Sequence, residues 1–388
     1  MPITRHLINF LLLVALLGLG SCLSSEVSPV NNAPNEKRTS EINQAQEEDV
    51  SLEWFTSSKL EDTDIVSASD AKLFINNVYQ ILDDKIFDPA FKKGEREQHL
   101  KLLIAEVSTK QNWSRAELTE RISNQLKELS VSHLRLLDPA EGEKLFRLIE
   151  QKPLSNAKPD PAISAEMKGE IGILRVKSFL IPQVTKAALD RAKAQLSPAK
   201  VILIDLRGNG GGAGSSISYL IEDIIGPDKV LWRDRTRAGL GMKKPYVFRG
   251  YFDDAINAQG EAEIKLGNEH HYLEWRTRSE AKKDPRPYYV LVDDKCGSSC
   301  DLFAVSVQEN RGAKLLGVRT MGALFAGEAF KLSWRGFALI APTAQVISPK
   351  GNTIEGVGVQ PDVQIPECKN SGKRCLEKAV EIVVRDAA

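Results

Sequence analysis

Short apolar runs alternate with amphipathic stretches from about residue 165 onward. Runs of five or six apolar residues are typical of buried strands, and apolar positions three and four residues apart are typical of helices. The predicted elements are, in order, strand 171–176, helix 182–196, strand 201–206, strand 288–292, helix 301–309 and strand 313–318. This alternation predicts an α/β fold with a mixed, partly parallel sheet and crossover helices.

Between about residues 67 and 130, apolar residues recur at helical spacing instead. One predicted helix face carries Leu73, Phe74, Val78, Ile81 and Leu82. The sequence from Ser114 to Glu117 has the form of a capping box, which opens a further helix. We therefore predict a small helical N-terminal domain over 67–137, in front of an α/β core over 160–388. The stretch 234–286 is polar without clear periodicity, and we interpret it as an insertion near the site and a candidate lid.

The first residues have the pattern of a bacterial export signal. An apolar run of about 13 residues from Leu7 to Leu19 follows two basic side chains, and it is shorter than the ~20 residues that span a bilayer. The sequence LGSC ending at Cys22 resembles a lipobox, which predicts a signal peptide over 1–21, a lipidated Cys22 and a disordered tether over 22–66. An ordinary signal peptide with an incidental cysteine is the alternative.

Composition narrows the classes of function. The 388 residues are 42% apolar and 27% charged, which is enough apolar sequence for at least one large core. Lysine plus arginine and aspartate plus glutamate both number 52, so the formal net charge is zero. Without an overall basic field, we expect no nucleic-acid partner.

The remaining four cysteines form two closely spaced pairs, which are Cys296 with Cys300 and Cys368 with Cys375. Four cysteines allow three connectivities, and two local disulfides are the simplest arrangement for an exported protein. A zinc site with four thiolates is the alternative.

A glycine-rich turn follows the predicted strand 201–206. Its sequence, DLRGNGGG from Asp205 to Gly212, leaves backbone amides uncovered for an anion or an oxyanion. Gly208, Gly210 and Ala213 also fit a weak dinucleotide fingerprint. A tight turn without a ligand is a third interpretation, and we expect Asp205 and Arg207 to form a structural ion pair.

A serine-rich turn follows the strand 288–292. Ser298 and Ser299 lie between the two closely spaced cysteines, where the next helix begins. A serine at a helix N-terminus can act as a nucleophile beside free amides, or it can simply cap the helix. The turn alone leaves both roles open.

Four segments together, in order and spacing, resemble the core of the C-terminal processing (tail-specific) peptidases and the tricorn protease. These are 171–180, 205–212, 290–320 and 355–362, with added weight from 129–137. The resemblance implies a crotonase-like catalytic core. In this family the nucleophile lies three residues before the acidic residue of the following helix; here that residue is Asp301, which implies Ser298. The oxyanion hole would then use the amide of Ser299 and one from Gly208, Gly210 or Gly211.

The general base decides the subtype. Tail-specific enzymes use a lysine within Phe-Gly-Lys-Gly downstream of the serine, whereas this chain has TMGAL from Thr320 onward, with Lys331 nearby. Tricorn-like members use a histidine preceded by serine and a late glutamate, which match His133, Ser132 and Glu355. These residues suit the chemistry, because serine needs a positioned base and imidazole needs a third group to fix its tautomer.

The favoured function is a lipid-anchored serine endopeptidase on the periplasmic face of the bacterial outer membrane, acting on peptides or proteins without a cofactor or a metal. The alternatives are an inactive lipoprotein of the same fold that binds peptides or apolar ligands, and a dinucleotide-dependent oxidoreductase. Only 37 residues separate His133 from Ile171, too few for the peptide-binding PDZ domain that processing peptidases often place there. The pair His270 and His271 is expected to be solvated rather than metal-bound.

Overall fold

The structure is a computed structural model that describes residues 65–150, 162–179, 182–212, 214–249, 271–332, 337–372 and 374–387. The predicted signal peptide, Cys22 and almost all of the predicted tether lie outside the described residues. No helix within these ranges is both long and apolar enough to span a bilayer.

The N-terminal part is mostly helical. Its elements are β1 (Ile65–Ser67), α1 (Ala68–Lys85), α2 (Lys93–Val107), β2 (Asn112–Ser114) and α3 (Arg115–Glu128). The hydroxyl of Ser114 accepts a hydrogen bond from the amide of Glu117 at 3.2 Å, so the predicted N-cap is confirmed. One expected core residue is wrong, because Leu73 is 67% exposed while its neighbour Phe74 is buried.

The rest of the described chain alternates strands and helices. Its elements are β3 (Arg135–Leu137), α4 (Pro139–Glu150), β4 (Ile163–Lys168), β5 (Ile171–Val176), α5 (Pro182–Gln195), β6 (Val201–Asp205), α6 (Ser218–Ile225), β7 (Val230–Thr236), β8 (Tyr246–Arg249), β9 (Tyr272–Arg276), β10 (Tyr288–Val292), α7 (Ser299–Glu309), β11 (Lys314–Gly317), β12 (Phe325–Lys331), β13 (Ala338–Ile347), β14 (Val363–Gln364) and α8 (Cys375–Ala387). Each predicted strand and helix of this part is present, with bounds shifted by at most two residues.

The first sheet has the strand order β14-β11-β10-β6-β5-β4 and is parallel except for β4. Strands β6 and β10 are parallel neighbours, with Asp205 opposite Leu291. Because parallel neighbours end at the same edge of a sheet, the glycine-rich turn after β6 meets the serine-rich turn after β10. The fold thus brings together two motifs that are about 90 residues apart in the sequence.

The second sheet has the order β12-β13-β7-β9-β8, and β3 adds to β13. Strands β8 and β9 and the last three residues of β7 come from the stretch 234–286, so parts of the expected insertion form strands of the second sheet, which the sequence analysis did not predict. The polar residues of this stretch hid its strands in the sequence pattern. One of them, Asp234, is buried beside Trp232 and Trp275, whose rings stack across the sheet. Residues 250–270 of this candidate lid lie outside the described residues.

Three apolar cores connect the layers. One fills the space between the two sheets and includes α6 and α7, and another packs α8 on the outer face of the first sheet. A third lies between the N-terminal helices and the second sheet, where the rings of Phe74 and Phe337 are 5.0 Å apart. The mixed α/β fold is confirmed, and the helical segment shares its core with the second sheet.

Candidate active site

The serine-rich turn holds Ser298 in an unusual backbone conformation. Ser298 has φ 56° and ψ −123°, immediately before α7 begins at Ser299. This region is sparsely populated and costs of order 1–3 kcal/mol for a residue with a side chain, so surrounding contacts must hold it. Two of these contacts are the Cys296–Cys300 disulfide, which brackets the turn, and the carboxylate of Asp301, which accepts from the amide of Ser298.

The neighbouring hydroxyl is already occupied. Ser299 Oγ donates to the carbonyl of Gly212 at 2.7 Å, and the residue is 2% exposed. Of the two serines, Ser298 alone has its hydroxyl beside an imidazole.

The glycine-rich turn packs directly against the backbone turn at Ser298 and Ser299, which we call the elbow. A Cβ at Gly211, which has φ +107°, would lie 2.6 Å from the Cβ of Ser298, so only glycine fits. The amide of Gly208 donates to Asp293 at 2.9 Å, and that of Gly211 donates to the side chain of Asn209 at 2.8 Å.

These contacts narrow the choice of oxyanion-hole amides. Within the described part of the chain, the amides of Gly210 and Ser299 donate no hydrogen bond. They therefore remain the candidates for holding an oxyanion.

His133 reaches the serine from the loop between α3 and β3. Its Nε2 is 3.4 Å from Ser298 Oγ, a long contact of the kind that shortens when substrate binds. The backbone of His133 has φ 56°. Gly327 of β12 makes room for it, because a Cβ there would be 2.8 Å from the Cβ of His133.

A serine bridge connects this histidine to Glu355. Ser132 Oγ lies 3.0 Å from His133 Nδ1 and 2.7 Å from Glu355 Oε2. Since an ionised carboxylate can only accept, the hydroxyl donates to Glu355 and accepts from Nδ1–H. That tautomer leaves Nε2 with a free lone pair towards Ser298, as a general base requires.

Glu355 is itself held by backbone amides. It accepts from the amide of Ser132 at 2.8 Å, from that of Leu324 at 2.6 Å and from that of Phe325 at 3.0 Å. Together with the Ser132 hydroxyl, four donors fix the carboxylate, and they come from two separate parts of the chain, Ser132 and the neighbours Leu324 and Phe325.

Burial shifts the pKa values of two groups at the site in opposite directions. Desolvation lowers the pKa of His133 to about 4, so the imidazole is neutral and able to accept a proton at neutral pH. Desolvation raises the pKa of Asp301 to about 6, against the opposing effect of its hydrogen bonds from Thr320, Gly322 and Ala323. Asp301 thus links the nucleophile's elbow to the loop that leads into β12.

A cavity of about 640 Å³ opens onto the serine and the imidazole. Its lining residues are Ser132, His133, Leu134, Arg135, Gly208, Gly210, Lys295, Gly297, Ser298, Met321, Ala323 and Ile340. The cavity can hold several residues of a peptide next to the nucleophile.

Other predicted residues lie elsewhere. Lys331 sits 5.0 Å from the ring of Phe146, and the cavity does not include it. Arg207 and Asp205 form the expected ion pair. His271 is exposed, and His270 lies outside the described residues.

Both predicted disulfides, Cys296–Cys300 and Cys368–Cys375, are confirmed. The zinc alternative is therefore wrong, because all four thiols of these pairs are used.

Sequence reasoning used Asp301 only to locate the serine and missed its hydrogen bonds. It also missed the roles of Asp293, Gly327 and Met321 around the site. The position of Asp301 in the first turn of a helix after two serines was the one available signal, since acidic residues there favour the helix N-terminus.

The chain matches known peptidases in sequence and in fold. It is 25% identical over 210 residues to the carboxy-terminal-processing protease of Bartonella bacilliformis, covering 53% of this chain and 41% of that protein. Among solved structures, a lipoprotein from Streptococcus agalactiae aligns with a TM-score of 0.54 at 14% identity, over 81% of this chain and 96% of that one. The tricorn protease aligns with a TM-score of 0.51 at 12% identity, over 82% of this chain and 37% of that one.

The curated relatives are longer than the matched region, and this chain spans about two fifths of their length. The model of peptidase family S41 matches residues 170–365, which is half of the chain and includes both turns and Glu355. The dinucleotide alternative is thereby wrong, and the protein belongs to peptidase family S41.

Proposed function

We propose that this protein is a serine endopeptidase of the bacterial envelope that cleaves peptides through an acyl-enzyme on Ser298. One observation carries the proposal, which is the continuous series of contacts from Ser298 through His133 and Ser132 to Glu355. A nucleophile, a base in the required tautomer and a fixed carboxylate are the parts that serine acyl transfer needs.

The reaction proceeds in two halves. Ser298 Oγ attacks the scissile carbonyl carbon while His133 Nε2 takes its proton, and the oxyanion accepts hydrogen bonds from the amides of Gly210 and Ser299. The imidazolium then protonates the leaving amine as the C–N bond breaks. A water molecule attacks the acyl-enzyme with the same histidine as base, and the acid product leaves with the hydroxyl of Ser298 restored. The Ser132 hydroxyl and Glu355 offset the transient charge on the imidazole.

Labelling with a fluorophosphonate probe tests the assignment. We expect one adduct per chain, mapped to Ser298 by peptide mass spectrometry and absent from Ser298→Ala. Ser299→Ala is the matched control and should still be labelled. An adduct on Ser299, or no adduct at all, would contradict the proposal, and the second outcome would favour an inactive binding protein of the same fold.

The envelope location and the lipid anchor rest on the sequence from Leu7 to Cys22. In the proposal, Cys22 carries the lipid and 23–66 tethers the peptidase to the membrane. Incorporation of radiolabelled palmitate and membrane fractionation test this, with Cys22→Ala as the variant and Cys368→Ala/Cys375→Ala as the cysteine control. Palmitate on Cys22→Ala, or its absence from the parent protein, would overturn the anchor.

A further inference from the structure

The lining of the cavity beside Ser298 carries an unbalanced charge. Of its residues, Lys295 and Arg135 are basic, and none is an aspartate or a glutamate. Lys295 is exposed and lies three positions before Ser298, next to Gly208, Gly210 and Gly297 in the lining. A positive side chain therefore borders the place where a substrate's scissile bond must lie.

The carboxylates next to Lys295 in the sequence are engaged in other contacts. Asp293 is fully buried and accepts from the amides of Gly208 and Lys295, while Asp294 accepts from the amide of Asn370 at 2.9 Å. Neither lines the cavity, and Lys295 forms no ion pair within the described ranges. Arg135, in contrast, is paired with Glu141. The unneutralised charge at the cavity is thus that of Lys295.

The remaining wall is apolar. Met321 is 53% exposed, and its sulfur would lie 3.0 Å from a Cβ at Gly297, so its side chain lies over the nucleophile's elbow. Leu134, Ala323 and Ile340 continue this surface. An exposed methionine suits apolar side chains of several shapes, because its thioether chain is flexible and polarisable.

We infer that Lys295 is a specificity-determining residue and that the site prefers peptides in which an acidic side chain lies next to an apolar residue at the scissile bond. The inference rests on the proposed function of this same site. The carboxylate pairs with Lys295, and the apolar residue contacts Met321 and its neighbours. Arg135 contributes less, since Glu141 already neutralises it.

The size of the preference follows from the exposure of Lys295. Exposed ion pairs contribute little, so a glutamate should be preferred over glutamine by about three- to tenfold in kcat/KM. Salt screens such pairs, and 0.5 M sodium chloride should reduce the preference to about twofold or less. An effect on substrate pairing should appear in KM rather than in kcat.

Quenched fluorescent peptides test the inference. They share an apolar core and carry glutamate, glutamine or lysine at each position on either side of the cleaved bond. Every peptide is made with a free and an amidated C-terminus, so that a terminal carboxylate and a side-chain carboxylate are distinguished. We expect one position at which glutamate is preferred with both termini, and we expect Lys295→Glu to prefer lysine there. Lys295→Met should remove the preference while keeping the apolar stem.

Lys101→Glu is the matched control, because it makes the same change of charge on an exposed position of α2. It should keep the parent preference. Equal cleavage of all three peptide types, a preference that Lys295→Glu leaves unchanged, or a preference found only with free C-termini would overturn the inference.

The same peptides are measured for binding to Ser298→Ala by fluorescence anisotropy, so that the inference is tested even without turnover. If the probe fails to label Ser298 and no peptide is cleaved, the proposed function is wrong. A glutamate preference in binding that Lys295→Glu reverses would still support the role of Lys295. Labelled, active enzyme without any charge preference would refute the role of Lys295 alone.

Discussion

The proposed nucleophile, Ser298, and the proposed base, His133, are held in different ways. The elbow at Ser298 is fixed by neighbours close in the sequence, with a disulfide spanning four residues and a carboxylate three positions away. His133 depends on distant parts of the chain, since its bridge through Ser132 ends on Glu355, 223 positions from that serine, and Gly327 leaves room for its ring. Ser298 is thus positioned mainly by residues close to it in the sequence, whereas His133 is positioned by contacts from distant parts of the chain.

The identity of the base gives the largest expected effect. His133→Ala should lower kcat/KM by ~10²–10⁴-fold or more, because serine loses its proton acceptor. Lys331→Ala should keep most of the activity, since this lysine lies outside the cavity. Turnover of a peptide substrate measures both variants, and a dead lysine variant beside an active histidine variant would refute the tricorn-like arrangement.

Adding one methyl group at Gly327 should displace His133 without contacting the turn at Ser298. In Gly327→Ala the new Cβ would lie 2.8 Å from that of His133, so the ring must shift, and misplacement by about 1 Å can cost ~10²-fold in rate. We expect kcat to fall by about 10- to 100-fold.

Gly94→Ala is the control for this change, because its new Cβ meets nothing within 4 Å in the first turn of α2. It should keep full activity and gain roughly 0.4–1 kcal/mol in free energy of unfolding, because alanine restricts the unfolded chain more than glycine does. Unchanged turnover in Gly327→Ala would show that the base tolerates displacement.

Removing the disulfide at the elbow tests whether residues close in the sequence hold Ser298 in place. Cys296→Ala/Cys300→Ala should lower kcat by roughly three- to tenfold, because Ser298 can leave its unfavourable conformation. Stability should fall little, since so short a loop constrains the unfolded chain weakly. Cys368→Ala/Cys375→Ala removes a disulfide that does not line the cavity and should leave kcat unchanged. Equal turnover in the two double variants would contradict this role for the bridge.

The pH dependence of kcat/KM should show whether protonation of Asp301 or of His133 causes the loss of activity at low pH. With a pKa of about 4, His133 stays neutral well below pH 6, whereas Asp301 gains a proton as the pH falls through about 6 and loses acceptors for the elbow. The acid limb of kcat/KM is therefore expected near pH 6. Thr320→Val removes a hydrogen bond to the ionised carboxylate and should move this limb up by about one pH unit.

Thr343→Val serves as its control, because that hydroxyl donates to Glu328 in the second sheet. It should leave the limb in place. A limb near pH 4 in the parent protein would mean that protonation of the histidine controls activity instead.

The sequence predicts the four central strands of the first sheet, β5, β6, β10 and β11, because they are largely apolar runs. It misses the edge strands β4 and β14, which are short or mostly exposed. The strands 171–176 and 288–292 have their predicted bounds in the structure. The second sheet was harder to predict, since Asp234 and Glu274 lie inside its strands and hide the apolar pattern. Their burial depends on partners such as Trp275 and Arg233, which propensity alone does not reveal.

The residues of the site also differ in how far the sequence predicts them. The serine-rich turn alone leaves two roles open, and it is the family's spacing to Asp301 that selects Ser298 over Ser299. Short cysteine separations favour the two disulfides without excluding other pairings. His133 and Glu355 could be proposed only through the family resemblance, because no local pattern connects residues so far apart. Their catalytic roles stay predictions, which the contacts in the structure support. The sequence could not predict that the amides of Gly208 and Gly211 are already hydrogen-bonded, since a run of glycines does not show which N–H groups are free.

The bridge from Ser132 to Glu355 also affects the order of assembly during synthesis. A ribosome makes the base first, the nucleophile 165 positions later and the carboxylate last. A nascent chain that ends before Glu355 contains the serine and its elbow but lacks the carboxylate that holds the imidazole through Ser132. In the proposed mechanism, hydrolysis therefore begins only when most of the polypeptide has been made and folded.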